Sequence, residues 1–226
     1  MATAAEPARA TVAVDRDLLL AGLTFSSGAV DAIAFLGLGK IFTAFQTGNF
    51  VFLGIGAAAA GGPDVTRVAA SLLGFAAGVF AATRTVRATS GAGPWPGRVN
   101  VALGVALTAQ AAFLALWLAT SERPGAATGD ALAALSALAM GLQSGAVLSL
   151  GVAGVFTTAA TATLMFLSRG EAPRARFAGT LIALCAGAAA GGLLLVHARA
   201  YAPVLPLVAS ALVIATAAAS PVTATR

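Results

Sequence analysis

The chain has 226 residues, of which 59% are hydrophobic and 9% charged, with a mean hydropathy of +0.92. A soluble domain of this length carries roughly a quarter charged residues, so the composition excludes an ordinary water-soluble globule and points to the bilayer as solvent. The formal net charge is +5, but the bases stand singly or in small groups between apolar runs. That spacing excludes a nucleic-acid-binding stripe and reads as loop charge that orients a membrane protein.

Residues 1–16, MATAAEPARATVAVDR, include Glu6, Pro7, Arg9, Asp15 and Arg16 and hold no unbroken apolar run. They predict a disordered cytoplasmic tail, not a secretory signal. The rest, 17–226, reads as a single integral membrane domain. Eight apolar segments follow, at about 18–38, 42–61, 66–83, 99–119, 130–152, 155–168, 177–197 and 201–220. A spanning helix needs about 20 apolar residues, so 155–168 is short and 42–61 and 66–83 are marginal. The arginine-containing loop 84–98 divides the chain.

The first segment contains Asp31, thirteen residues in and near the expected bilayer centre, whereas the other seven acids fall in tails, segment ends or loops. An acid at that depth costs about 2.5–3.5 kcal/mol, so Asp31 must be protonated, paired or facing water. Helical spacing places Thr24, Ser27, Gly28 and Asp31 on one face. In the second segment Thr43, Gln46, Thr47 and Phe50 share a face by the same rule, and Gly48 is placed to break the helix beside Asn49. In the third segment Gly74 and Gly78 form a Gly-x-x-x-Gly that lets helices approach closely, as do Gly187 and Gly191 in the seventh. The fifth and sixth segments carry Gln143 and Ser144, then Thr157, Thr158, Thr161 and Thr163. Amides and hydroxyls of this kind hydrogen-bond between membrane helices, or replace the hydration shell of an ion or small polar solute. Asp31, Thr43, Gln46, Thr47, Asn49, Gln143, Thr157 and Thr161 are therefore the candidate site. Cys185 and His197 stand alone, too few for a metal site or a disulfide. No cofactor is expected.

Counting Lys and Arg separates two topologies. If all eight segments cross, a cytoplasmic amino terminus leaves eight bases inside and five outside. If the second and sixth are re-entrant, Arg9, Arg16, Arg84, Arg87, Arg98, Arg169, Arg174, Arg176 and Arg226 lie inside, and only Lys40, Arg67, Arg123 and Arg199 outside. The second arrangement obeys the positive-inside rule better. It leaves three crossings per half and hence opposed halves, as in many secondary transporters. The halves, about 18–119 and 130–220, also look alike. A shift of 114 lays Leu36, Gly37, Phe42, Thr43, Thr47, Phe52 and Leu53 over identical residues, and a shift of 113 lays Gly74 and Gly78 over Gly187 and Gly191. The expected fold is an all-α polytopic bundle of two similar halves, with six spans plus two short, re-entrant segments.

The elements Gly28–Val30–Asp31–Ala32, Phe42–Thr43–Ala44 and Thr47–Gly48–Asn49 resemble the YoaK family of bacterial membrane proteins (domain of unknown function 1275). Gly141–Leu142–Gln143 and Thr157–Thr158…Thr161 match that family's second half, although a second T-G-N is replaced by Thr161–Ala162–Thr163. The resemblance covers nearly the whole chain and implies a multi-pass protein of the bacterial plasma (inner) membrane. The residues themselves predict a permease or exporter for a small polar solute or ion, proton-coupled through Asp31. A passive channel or a non-transporting accessory protein is the alternative. An enzyme is not expected: Ser144 lies in G-x-x-S-G, not in the G-x-S-x-G turn, and one histidine makes no H-E-x-x-H. The expected partners are the lipid bilayer and the solute, with no nucleic acid; a homodimer is left open.

Overall fold

The computed structural model describes residues 13–86, 93–152, 157–158, 160–170 and 174–224. Among these, eight α-helices form: α1 (Arg16–Gly37), α2 (Gln46–Ala57), α3 (Val65–Val86), α4 (Gly97–Ala119), α5 (Ala126–Leu148), α6 (Ala160–Ser168), α7 (Arg174–His197) and α8 (Val204–Ala219). A 3-10 turn, Arg199–Tyr201, leads into α8. The expected tail lies mostly outside the described residues, but Val14–Asp15 (β1) pairs in parallel with Val222–Thr223 (β2).

Local chemistry sets several ends. The Asp15 carboxylate accepts the Asp17 N–H at 2.9 Å and so caps the start of α1. That helix closes at Gly39 and Lys40, with φ of 88° and 68°. The Lys40 N–H returns to the Phe35 carbonyl at 3.0 Å, a Schellman closure that satisfies an otherwise orphaned acceptor. Pro96 and Pro203 precede the first residues of α4 and α8, where a missing N–H is harmless.

Six helices, α1, α3, α4, α5, α7 and the run Arg199–Ala219, are long and apolar enough to cross a membrane. At 12 and 9 residues, α2 and α6 extend only about 18 and 14 Å, short of a hydrocarbon core of about 30 Å. Large apolar side chains such as Leu18, Leu73, Phe80, Ile182 and Leu212 are more than 60% or, for Phe80, 60% exposed on the outer surface. Water punishes such a surface and lipid does not.

Hydrogen bonds sort the helix ends into two sets. The end where α1 begins is termed proximal. There Arg176 of α7 pairs with Asp17 at 2.6 Å, Arg98 of α4 donates to the Thr85 carbonyl of α3 at 3.3 Å, and Val14 N–H meets the Pro221 carbonyl. At the distal end, the Arg67 guanidinium of α3 donates to the Leu38 carbonyl at 3.0 Å, to Asp130 of α5 at 2.9 Å and to the Ala126 carbonyl at 3.1 Å. Trp117 of α4 donates to the Arg199 carbonyl at 3.1 Å. Thus α1, α4 and α7 run from proximal to distal, and α3, α5 and α8 run back. The chain leaves α1 and enters α3 at the same end, so α2 dips in and returns. The same holds for α6 at the opposite end, between α5 and α7.

Two parallel helix crossings form the heart of the bundle. In one, α1 meets α7: a Cβ on Gly28 would overlap the Leu184 carbonyl, and one on Gly187 would overlap the Phe25 carbonyl. In the other, α5 meets α3: Gly141 faces the Phe75 carbonyl and Gly78 faces that of Leu138 in the same way. Each crossing therefore uses a glycine on both helices, three residues from the carbonyl that the partner glycine faces. Gly74 abuts Ala134, and Gly191 abuts Ala29. The glycine in the place of Gly187 is Gly78. Gly78 thus meets the Leu138 carbonyl as Gly187 meets that of Phe25, whereas the shift of 113 set Gly74 against Gly187.

Candidate functional site

Asp31 is paired. Its Oδ1 accepts the N–H groups of Thr43 and Ala44, each at 2.8 Å, and its Oδ2 accepts that of Phe45 at 2.9 Å. These amides lie just ahead of α2, which opens at Gln46. A helix amino terminus leaves its leading N–H groups without internal partners and carries positive partial charge. Asp31, one and a half turns before the end of α1, supplies both the acceptors and the opposite sign. Asp31 therefore stands about 9 Å from the distal end of α1, off the centre expected from the sequence, at the level where the re-entrant backbone has unmet donors.

Asn49 holds the same loop from the other side. Its side-chain amide pairs with the peptide unit of Phe42, donating to the carbonyl at 2.6 Å and accepting the N–H at 3.1 Å. It also donates to Gln46 Oε1 at 2.8 Å. Gln46 donates to the Thr43 carbonyl at 2.9 Å. From α3, Ser71 donates to the Phe42 carbonyl at 2.7 Å and lies within 3.2 Å of the amides of both Gln46 and Asn49. Thr43 shares a hydroxyl contact of 2.9 Å with Ser136 of α5. Asn49, Thr43 and Ser71 are fully buried, so the network satisfies groups that water does not reach.

The expected helical face of Thr43, Gln46, Thr47 and Phe50 is replaced by this arrangement. Thr43 precedes the helix, and Thr47 and Phe50 are exposed. Nor does Gly48 break the helix. It lies inside α2, where a Cβ would press on the Phe42 and Phe45 rings at 2.9 and 3.2 Å. The break sits at 42–45 because Asp31 and Asn49 occupy the backbone groups that a helix would use.

A second polar cluster joins the halves nearer the proximal end. Gln143 of α5, fully buried, donates to Ser27 Oγ of α1 at 2.8 Å and to the Leu23 carbonyl at 3.1 Å, with Thr157 Oγ1 at 3.4 Å. Ser144 shares a 2.9 Å contact with Thr158. Thr163 is buried, whereas Thr161 is exposed. Asp31, Thr43, Gln46 and Asn49 therefore form one network, Gln143 and Thr157 form another, and Thr47 and Thr161 belong to neither.

A third group was not anticipated from the sequence: Ser26 of α1 and Ser210 of α8 meet at 3.0 Å, and Gln110 of α4 donates to Ser210 at 3.3 Å. Single hydroxyls in Ala-rich helices, such as Ser71, Ser136 and Ser210, carry no periodic signal that would expose their role.

Beside Asp31 an open cleft of about 490 Å³ lies between α1, the 42–45 segment and α7, lined by Gly28, Asp31, Phe35, Phe42, Phe45 and Leu184 among others. A smaller cleft of about 290 Å³ lies in the matching place between α5 and α3, with Ser144, Thr157 and Thr158 as its polar groups. Among the described residues, no three His, Cys, Asp or Glu side chains gather as a metal site would require. Cys185 is exposed.

The family model described as "Protein of unknown function (DUF1275)" matches residues 19–217. The chain is also similar to the UPF0700 transmembrane protein YoaK of Bacillus subtilis (strain 168), with 34% identity over 157 residues, 70% of this chain and 68% of that protein. No solved structure matches.

Proposed function

The chain belongs to the DUF1275 family, and on that premise we propose that this multi-pass membrane protein is a permease for a small polar solute or ion, with Asp31 as its proton-coupling group. One observation carries the reading: the three backbone N–H groups before a re-entrant half-helix are held by a single ionisable side chain within the last two turns of a spanning helix. Broken helices of this kind frame the binding sites of secondary transporters. Protonating Asp31 removes the charge that the amides and the helix terminus favour, which loosens the loop. Deprotonation draws it back. The bistable element is the segment 42–45, and the proton is the ligand that biases it.

The two halves are taken as an inverted repeat. The equivalent glycine crossings, α1 with α7 and α5 with α3, support this, as do the opposed directions of α1, α3, α4 and α5, α7, α8. Rocking of one half against the other then gives alternating access. The proximal end is assigned to the cytoplasm of a bacterial inner membrane. Among the described residues it carries Arg16, Arg84, Arg98, Arg169, Arg174 and Arg176, against Lys40, Arg67, Arg123 and Arg199 at the distal end. No catalytic role is assigned to any residue.

A non-transporting accessory role is the second reading, favoured by the apolar lining of the cleft next to Asp31. Purified protein in liposomes containing a trapped pH-sensitive dye separates the two. The permease reading expects one or more members of a panel of small ions, organic cations and polar metabolites to drive a proton flux that Asp31→Asn abolishes. Silence across the panel, or flux unchanged in Asp31→Asn, overturns it.

A further inference from the structure

We infer that the cleft beside Asp31 is a binding site for a lipophilic monocation, a hydrophobic amine or its quaternary analogue, that enters sideways from the lipid. This deepens the permease reading by naming a substrate class. The cleft is open and about 490 Å³ in volume, enough for a bulky organic ion. Its walls are apolar, and Asp31 is its one ionisable group. A carboxylate offers about four lone-pair positions. Three take backbone N–H groups, two on Oδ1 and one on Oδ2, which leaves Oδ2 one acceptor position.

Phe45 is the ring placed to complete a cation site, because Phe42 stacks on both Phe35 and Phe52, with centroids 5.2 and 6.1 Å away. Phe45 meets Phe42 edge-on at 5.3 Å. Phe35, Phe42 and Phe45 line the cleft. Aromatic faces attract cations, most strongly where water is excluded. The Phe35 ring is already taken by the Lys40 ammonium, 4.8 Å from its centroid, and by its stacking on Phe42. The walls satisfy a hydrophobic body, and the carboxylate with the Phe45 ring satisfies its charge; an anion or a polar sugar would find neither.

The matching cleft between α5 and α3 serves as an internal comparison. It is also bounded by helices that cross at glycines, yet its polar groups are hydroxyls. A cleft in this position is thus a by-product of the close crossing. The carboxylate and the three phenylalanines are what distinguish the first.

Equilibrium binding of radiolabelled tetraphenylphosphonium to the full chain in phosphatidylcholine nanodiscs tests the assignment, with the near-isosteric anion tetraphenylborate as control. The expected result is saturable binding of one cation per chain that tetraphenylborate does not reproduce. Ala188→Phe, which projects into the cleft from α7, weakens it tenfold or more, with an unchanged unfolding midpoint showing that the α1–α7 crossing is kept. Asp31→Asn does the same if it folds, and Ala188→Phe decides the matter if it does not. Equal binding of both ions, or cation binding unchanged in Ala188→Phe, overturns the inference. Cation binding without any solute-driven proton flux leaves the site standing and removes the permease reading. Flux of other solutes without cation binding does the reverse.

Discussion

Arg67, in the first turn of α3, donates a hydrogen bond of 3.0 Å to the carbonyl of Leu38, at the close of α1. That single contact joins the end of one spanning helix to the start of the next, although twenty-odd residues containing a helix lie between them. The intervening chain must turn back within the membrane, and its polar backbone must find partners there. Asp31, Asn49 and Ser71 are those partners, and the topology and the candidate site are therefore one feature.

The topology has a direct consequence for labelling. With Cys185 replaced by Ala, single cysteines at Lys40→Cys and Asp64→Cys should react with an impermeant maleimide from the same side of the membrane. Arg98→Cys should react from the other. Labelling of positions 40 and 64 from opposite sides would mean that α2 crosses.

The tether has a measurable worth. Asp31→Asn replaces one acceptor oxygen with an amide that faces an N–H donor, which leaves at least one buried donor unmet. A loss of about 1–3 kcal/mol is expected, read as a lower midpoint in thermal or urea unfolding in detergent. Asn49→Ala removes both bonds to the Phe42 peptide and should cost a similar amount. Thr47→Ala, at an exposed position, should be silent.

Glycine substitutions distinguish crossing positions from open ones. Gly28→Ala and Gly187→Ala place a methyl group on a facing carbonyl, and overpacking of this kind costs about 1–3 kcal/mol. Nothing lies within 4 Å of a Cβ at Gly104 or Gly179. Alanine there should be neutral or should stabilise by up to about 1 kcal/mol through helix propensity. Equal effects at the two kinds of site would contradict the crossing geometry.

The distal ion pair should behave as a network. Arg67 bonds Asp130 and two carbonyls, and its side chain is 16% exposed. Arg67→Ala should therefore cost more than Asp130→Ala, with a difference of about 1–2 kcal/mol for the stranded Leu38 carbonyl, since Ala126 is exposed. A double-mutant cycle of unfolding midpoints measures the remaining coupling.

Much of this was legible in the sequence because the bilayer is a strict solvent. Hydropathy marked eight apolar segments and the shortness of 155–168, but it left 66–83, which crosses as α3, as marginal as 42–61; the cost of an acid at depth singled out Asp31. Arginine placement favoured re-entrance before any coordinates. Continuous helical periodicity through 42–50 misplaced Thr43 and Thr47, because the partners of Asp31 are backbone amides, to which side-chain patterns are blind. Ser71 and Ser136 left no mark, since a lone serine in a membrane helix is common and only its neighbours give it a role.

Hydrogen exchange at the Thr43, Ala44 and Phe45 amides tests the central claim, that a proton on Asp31 releases the re-entrant loop, most directly. After correction for intrinsic exchange, these amides should be protected when Asp31 is ionised and should lose protection as the pH falls through its titration. In Asp31→Asn they should be poorly protected at every pH, while amides in the α3–α5 crossing stay unchanged in both proteins. Protection that is independent of pH in the wild-type chain, or that survives intact in Asp31→Asn, would contradict the account.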